Sequence, residues 1–164
     1  MTSKKVILVG HFGVGKTSLV RQFVHQKFSD EYLTTIGVKI DKKEMKLDDN
    51  RAVTLILWDI AGESSSAKIP DSYKLGAHGI LFVFDVSRPS TYENINDQIS
   101  ELRKTLPEVP LLCLANKSDL LASNFRSDVQ NKVGNHQLLF TSAKTGENVE
   151  LAFENLTKHI MSWD

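Results

Sequence analysis

The stretch Gly10-His11-Phe12-Gly13-Val14-Gly15-Lys16-Thr17 decides the fold of this 164-residue chain. It has the Gly-x-x-x-x-Gly-Lys-Thr spacing of a phosphate loop, and it stands between an apolar run and a helical pattern, as such a loop requires. Successive backbone N–H groups and a helix N-terminus form an anion site there, and the glycines let the chain approach phosphates closely. A chance glycine-rich turn is the alternative. The candidate phosphate-binding residues are Gly13, Val14, Gly15, Lys16, Thr17 and Ser18, with Thr17 also a candidate Mg²⁺ ligand.

Short apolar runs alternate with helical patterns along the rest of the chain. Continuous apolar runs of this length are typical of strands buried on both faces of a parallel sheet. The runs are 6–9, 80–84, 111–115 and 138–140; the helical patterns are 19–28 and 149–160; segments 38–47 and 52–57 indicate a hairpin. Ser90-Thr91-Tyr92-Glu93 has the form of a capping box, which predicts a helix start after Pro89. The pattern predicts one α/β domain over residues 1–164, with a mostly parallel sheet and an antiparallel edge.

Composition excludes several classes of protein. Lys plus Arg equals Asp plus Glu at 20 each, so the formal net charge is zero, which argues against a nucleic-acid binder. The lone Cys113 cannot form an internal disulfide and indicates a reducing compartment. No run approaches the roughly 20 apolar residues of a membrane span, and neither a signal peptide nor a lipidation motif is present. We therefore expect a cytoplasmic monomer with no direct lipid anchor in this chain.

The motif Asn116-Lys117-Ser118-Asp119 follows the apolar run 111–115, where a ligand-facing loop of a parallel sheet belongs. A carboxylate can accept hydrogen bonds from both N1–H and the exocyclic amine of guanine, and adenine offers no such pair of donors. Asp119 is therefore the predicted guanine selector, with Asn116 bracing the loop and Lys117 covering the ring. Taken alone, the motif is also compatible with an ordinary turn.

Three further positions extend the predicted site. Asp59, in Trp58-Asp59-Ile60-Ala61-Gly62, ends a hairpin strand and is a candidate to hold Mg²⁺ through water, while the Gly62 N–H is a candidate sensor of a γ-phosphate. Thr35 lies in a polar stretch between helix and hairpin; without the other motifs it would be an ordinary loop threonine. Thr141-Ser142-Ala143-Lys144 would buttress the base, although alone it would only indicate a helix start.

With these motifs in this order, the chain resembles the Ras superfamily of small GTPases over essentially its whole length. Its short sequence motifs most resemble those of the Rab branch. They are Thr34-Thr35-Ile36-Gly37-Val38, Trp58-Asp59, and Tyr73 followed by Gly76-Ala77-His78-Gly79-Ile80. The absence of C-terminal cysteines would suit a truncated chain or a non-lipidated, bacterial member.

The resemblance implies a small G domain of the P-loop NTPase type, with a six-stranded sheet and five helices on both faces. It implies GTP and GDP as ligands, Mg²⁺ as cofactor with Thr17, Thr35 and Asp59 as its ligands, and switch segments near 28–38 and 60–76 that bind effectors and regulators. The implied guanine-site residues are Phe28, Asn116, Lys117, Asp119, Ser142, Ala143 and Lys144. Phe28 packs against the guanine edge in this reading; a helix-end core position is its alternative.

The chain departs from the family at the chemistry itself. Glu63 replaces the catalytic Gln, Phe12 replaces a small residue where an activating arginine would enter, and Ser64-Ser65-Ser66-Ala67-Lys68 alters the second switch. Of the aromatic residues that Rab-like proteins present to effectors, Trp58 and Tyr73 match, but Ile40 does not; Trp58 could instead be hairpin core.

The sequence predicts a GTP/GDP switch with slow Mg²⁺-dependent hydrolysis, in which Glu63, Lys16 and Thr35 are the candidate catalytic residues. A non-hydrolysing interaction module of the same fold is the first alternative. A phosphate-loop kinase for a small metabolite is the second.

Overall fold

Strands and helices alternate along the chain in the order that the sequence predicts. The computed structural model describes residues 2–31, 34–62 and 68–163. Within them, the strands are β1 (Thr2–Val9), β2 (Val38–Lys46), β3 (Ala52–Ile60), β4 (Gly79–Asp85), β5 (Leu111–Asn116) and β6 (Leu138–Phe140). The α-helices are α1 (Lys16–His25), α2 (Asp71–Lys74), α3 (Ile95–Thr105), α4 (Arg126–Val133) and α5 (Val149–Ser162), and 3₁₀ turns span Pro89–Thr91, Ser118–Leu120 and Ser123–Phe125. None of the helices in these ranges is long and apolar enough to cross a membrane.

The strands form one sheet in the order β2-β3-β1-β4-β5-β6. Neighbouring strands are parallel except for β2 and β3, which form the predicted antiparallel hairpin at the edge. The mostly parallel α/β sheet with one antiparallel edge is therefore confirmed. β3 pairs with one side of β1 and β4 with the other, so the order of the strands reverses at β1. The loop after β1 therefore lies at the point where ligands of such sheets bind.

Helices cover both faces of the sheet and bury the apolar runs of β1, β4 and β5, while the run of β6 is half-buried. On one face α1 and α5 pack together, and the rings of Phe23 and Phe153 stack with centroids 3.9 Å apart. On the other face, α3 and α4 cover Ile7 and Phe84, and the latter packs on Tyr92 at 4.6 Å. Burial on both faces explains why these strands are continuously apolar rather than alternating.

Two local predictions are wrong. The expected capping box does not start a helix, because α3 begins only at Ile95 and no side chain caps it. Residues Pro89–Thr91 form a 3₁₀ turn instead, in which the Thr91 hydroxyl accepts from the Asp85 N–H at 3.0 Å and donates to the Arg88 carbonyl at 2.8 Å, tying the end of β4 to this turn. Helix α1 is also shorter than its apolar pattern, since Gln26 adopts a left-handed conformation with φ of 55° and ends it before Phe28.

Candidate functional site

A cavity of about 290 Å³ lies where β1, β3 and β5 end, and it gathers most of the residues that the sequence singles out. Such cavities at the carboxyl ends of parallel strands are the usual ligand sites of α/β sheets. It is lined by Phe12, Gly13, Gly15, Lys16, Thr17, Ser18, Phe28, Ser29, Asp30, Glu31, Thr35, Asp59, Ile60, Gly62, Asn116, Lys117, Asp119, Leu120, Ala143 and Lys144.

The loop between β1 and α1 can follow this path only because of its glycines. Gly13 and Gly15 have φ of 73° and 103°, in the left-handed region that side chains disfavour. At Gly15 a Cβ atom would also lie 2.3 Å from the Asn116 amide nitrogen. The loop and the Asn116 motif are therefore packed directly against each other.

The carbonyl groups of this loop accept hydrogen bonds from two polar side chains, Lys16 at the start of α1 and Asn116 at the end of β5. Lys16, which is 6% exposed, donates from Nζ to the carbonyls of Gly10 and His11 at 2.8 and 2.9 Å. The Asn116 amide donates to the Val14 carbonyl at 2.9 Å, which is the bracing role predicted for it. These bonds hold the backbone of the loop from inside the protein.

Thr17, Thr35 and Asp59 form a cluster of oxygen atoms on one side of the cavity. The Thr17 hydroxyl lies 2.6 Å from both Asp59 Oδ2 and the Thr35 hydroxyl, and Thr35 donates to the same carboxylate oxygen at 3.3 Å. Helix α1, the loop before β2 and the end of β3 each contribute one member. The structure thus brings together all three predicted metal ligands.

The donor set of this cluster fits Mg²⁺. Asp59 is 1% exposed, and its Oδ1 atom is buried with no hydrogen bond to any described residue. Burial raises the pKa of Asp59, and the hydrogen bond from Thr17 and the charge of Lys16 oppose this only in part. A carboxylate with two hydroxyl groups suits a hard cation that also takes phosphate oxygens and water. The orphaned oxygen and the unfavourable burial of its charge are both relieved by such a cation.

At the opposite end of the cavity, Asp119 is exposed and held by a neighbouring loop. Its Oδ1 accepts from the Ser142 hydroxyl at 2.7 Å, while the Asn116 side-chain oxygen accepts from Thr141 at 3.1 Å. Lys117 adopts a left-handed conformation with φ of 63° and directs its ammonium group to the Gly13 carbonyl at 2.9 Å. The two predicted base-side motifs therefore support each other.

Some predicted residues do not line the cavity. Val14 and Ser142 are fully buried, and the first contributes through its backbone and the second through Asp119. Phe28 lines the cavity with 38% of its surface exposed, so the alternative of a core phenylalanine is not supported. Phe12 also lines it and is 51% exposed, whereas Glu63 lies outside the described residues.

Sequence reasoning missed Asp85 and Arg88. Asp85 ends β4 with 1% exposure and forms ion pairs with Lys117 at 2.9 Å and Arg88 at 3.2 Å. Burial favours its neutral form, but hydrogen bonds from Ser87 and Lys117 outweigh this and lower the pKa of Asp85. The signal was present: a carboxylate directly after the apolar run 80–84 follows the same rule that located the other loops.

This chain is similar in sequence to known proteins over nearly its whole length. A sequence profile of the Ras family matches residues 5–162. The chain belongs to this family. The Ras-related protein RABG3d of Arabidopsis thaliana is 38% identical over 94% of this chain and 81% of its own length. The Ras-related protein Rab7 of Pisum sativum is 36% identical over 96% and 82%, and the Ypt/Rab-type GTPase YPT7 of Saccharomyces cerevisiae is 33% identical over 94% and 79%. This Ras-family chain is thus a Rab-like small GTPase.

The surface predicted to meet effectors is assembled in this Ras-family chain. Ile40 pairs with Trp58 across the β2–β3 hairpin and is 48% exposed. The Trp58 ring lies 6.2 Å from that of Tyr73 and carries the Lys5 ammonium 3.6 Å above its centroid. Trp58 is half-buried and packs partly on the core beneath, so it contributes to the hairpin core, and its display to effectors stays a prediction.

Proposed function

We propose that this Ras-family protein, a single domain over residues 1–164, is a GTP/GDP switch that binds its nucleotide with Mg²⁺ in the cavity and hydrolyses GTP slowly. The observation that carries the proposal is the pairing of Asp119 at one end of the cavity with the Thr17–Thr35–Asp59 cluster at the other. One end supplies acceptors for a base, the other supplies ligands for a phosphate-bound cation, and the phosphate loop runs between them.

Guanine selection is assigned to Asp119. Its carboxylate is held on one oxygen by Ser142 and exposes the remaining acceptor capacity to the cavity. A site built to accept two hydrogen bonds from guanine leaves that carboxylate unpaired when adenine binds, which is the strongest form of discrimination available to a small pocket. Phe28, Ala143 and Lys144 supply the surrounding walls.

Phosphate and metal binding are assigned to the opposite end. Lys16 and the backbone N–H groups of residues 13–18 would bind the phosphates, and the Thr17 and Thr35 hydroxyls with the Asp59 carboxylate would hold Mg²⁺. When bound there, the cation would supply positive charge to the phosphates. Thr35 and the Gly62 backbone are the candidate γ-phosphate sensors of the two switch segments.

The Gly62 backbone is packed tightly enough on the phosphate loop to respond to its ligand. A Cβ atom at Gly62 would lie 2.4 Å from Phe12 Cα and 2.6 Å from its nitrogen. We therefore expect a movement of the phosphate loop to displace the Gly62 segment, and with it the Ile40–Trp58–Tyr73 surface. We infer that effectors bind this surface when GTP orders the segments 28–38 and 60–76.

Glu63 stays a prediction, since it lies outside the described residues. A carboxylate can orient the attacking water and accept its proton as the water oxygen bonds to the γ-phosphorus. We therefore expect intrinsic hydrolysis that rises with pH through the titration of Glu63. Glu63→Ala should slow the reaction; acceleration by Glu63→Gln would instead mean that the carboxylate repels the water.

The test begins with the nucleotide released when purified protein is denatured, which we expect to be GDP or GTP. Single-turnover assays with GTP and excess Mg²⁺ should then give a rate on the order of 10⁻⁴ to 10⁻³ s⁻¹, and chelation of Mg²⁺ should abolish it. Equal affinities for ATP and GTP would overturn the guanine assignment. Tight GTP binding without turnover in the wild type and Glu63→Gln would leave a binding module rather than a hydrolase.

A further inference from the structure

Two consecutive carbonyl groups of the phosphate loop are held by two cations that share one carboxylate. Arg88 donates from Nη2 to the Phe12 carbonyl at 2.6 Å, and Lys117 donates to the Gly13 carbonyl at 2.9 Å. Both cations contact Oδ2 of Asp85, at 3.2 and 2.9 Å. We call Asp85, Arg88 and Lys117 the loop clamp.

The loop clamp sets the orientation of peptide planes that the ligand must meet. In a planar trans peptide, the N–H points away from the carbonyl to which it is joined. Holding the Phe12 and Gly13 carbonyls therefore directs the N–H groups of Gly13 and Val14 to the opposite side. The Asn116 bond to the Val14 carbonyl does the same for the N–H of Gly15. Three successive peptide units are thus fixed from the side facing β4 and β5.

We propose that Asp85 and Arg88 are positioning residues for the bound phosphates: the buried Asp85 carboxylate aligns Arg88 and Lys117, and these hold the phosphate-loop N–H groups in register for the anion. The inference rests on the proposed nucleotide site and deepens it. It assigns to the end of β4 a role in retaining the ligand, although neither residue lines the cavity.

The arrangement is strong enough to matter because Asp85 is buried and fully engaged. Its other oxygen accepts from the Ser87 N–H at 2.9 Å and from the Ser87 hydroxyl at 2.6 Å. A buried carboxylate saturated in this way has little freedom to move, and charge-assisted bonds of this kind are the strong ones. Arg88 is more exposed, at 44% of its side chain, so its own bond to Phe12 is the weaker arm.

The experiment measures dissociation of a fluorescent GDP analogue from wild type and from Arg88→Ala, Arg88→Lys and Asp85→Asn. We expect about fivefold faster release for Arg88→Ala and about tenfold or more for Asp85→Asn, where both arms lose their anchor. Arg88→Lys should fall between wild type and Arg88→Ala, because an ammonium group keeps the charge but lacks the fork that reaches both Asp85 and Phe12.

Arg103→Ala is the matched control. Arg103 also holds two loop carbonyls, those of Leu106 at 3.1 Å and Val109 at 2.5 Å, but at the end of α3 away from the cavity. It should lower the melting temperature without changing GDP release. Competition by guanosine, which lacks phosphates, should be unchanged in Arg88→Ala if the residue acts through the phosphate loop, and weakened if the variant damages the whole site.

The outcomes separate this inference from the proposed function. A wild type that binds no guanine nucleotide would remove the proposed function itself. Wild-type binding with wild-type GDP release from both Arg88→Ala and Asp85→Asn would overturn the loop clamp alone. If Asp85→Asn does not fold, the pair Arg88→Ala and Arg88→Lys decides: equal release from both variants and wild type contradicts the proposal.

Discussion

Two aspartates lie at the ends of β3 and β4, the strands on either side of β1, and their surroundings are opposite in kind. Asp59 is the second-last residue of β3 and Asp85 is the last residue of β4, and each is 1% exposed. Asp85 is saturated by Arg88, Lys117 and Ser87, and its pKa is lowered; Asp59 keeps a buried oxygen without a partner among the described residues, and its pKa is raised. Both side chains are closed to solvent, and they differ in the donors around them.

The difference divides the site into two parts. We call the surroundings of Asp85 and the base loops the finished part, because the buried carboxylate there has partners on both oxygens, and we call Asp59, Thr17 and Thr35 the unfinished part, because Asp59 keeps an oxygen without a partner among the described residues. Around Asp85 and behind the base loops, buried polar groups such as Asn116 and Ser142 have partners within the protein, which suits a rigid platform for the nucleotide. Around Asp59, a carboxylate and two hydroxyl groups hold one another while leaving an acceptor unused, which suits a cation that arrives with its phosphates. The switch threonine, Thr35, belongs to the unfinished part.

The largest expected effect lies in the finished part, at the base. Asp119→Asn replaces two acceptors with a donor and an acceptor, so we expect the preference for GTP over XTP to shift by at least about 10³-fold toward XTP. Mg²⁺ dependence should be unchanged, because the substitution is at the other end of the cavity. Competition of GTP and XTP for a labelled nucleotide measures this, with Ser142→Ala as the control that loosens Asp119 but retains its carboxylate. An unaltered preference would break the assignment of a base platform.

The second effect lies in the unfinished part. Asp59→Asn should weaken Mg²⁺ binding in the presence of a GTP analogue by about 10- to 100-fold, since it removes the charge that faces the cation. Without metal or nucleotide, the same variant should be at least as resistant to denaturant as the wild type, because it removes a buried charge that the described residues compensate only in part. Guanine over adenine preference should stay as in the wild type. A metal-free variant much less stable than wild type would mean that Asp59 is structural.

The third effect is smaller and concerns the switch alone. Thr35→Ala removes the hydroxyl that lies 2.6 Å from Thr17, so affinity for a GTP analogue should fall by about fivefold while GDP affinity changes less than about twofold. Amide hydrogen exchange of segment 28–38 should be slowed by the GTP analogue in wild type and not in the variant. Equal exchange of that segment with GDP and the analogue in the wild type would contradict the switch itself.

The sequence predicted the residues that line the nucleotide cavity better than the residues that hold the phosphate loop from behind. Motifs such as 116–119 are read from residue types that bind a ligand directly, and their place after apolar strands follows from the sheet. Asp85 and Arg88 act through backbone carbonyls of Phe12 and Gly13, and nothing in a sequence shows which carbonyl needs a donor. The sequence likewise does not show that Thr91 ties the end of β4 to the turn after it, or that α3 begins only at Ile95.

The last prediction uses pH to test the two aspartates against each other in metal-free, nucleotide-free protein. The folded pKa of Asp85 is lowered below the usual value of about 3.9, so its stabilising contribution is present above that pH and is lost as pH falls below it. The folded pKa of Asp59 is raised, so its charge opposes folding increasingly as pH rises from about 4 through that raised pKa. Denaturant unfolding between pH 3 and 6 should therefore show a shallower loss of stability in acid for Asp85→Asn than for wild type. Asp59→Asn should show the reverse, gaining on the wild type as pH rises across this range. Saturating Mg²⁺ and GDP should cancel the difference at Asp59 and leave that at Asp85. If the free energy of unfolding of both variants changed with pH in the same way, the two carboxylates would be equivalent. The distinction between a finished and an unfinished part of the site would then fail.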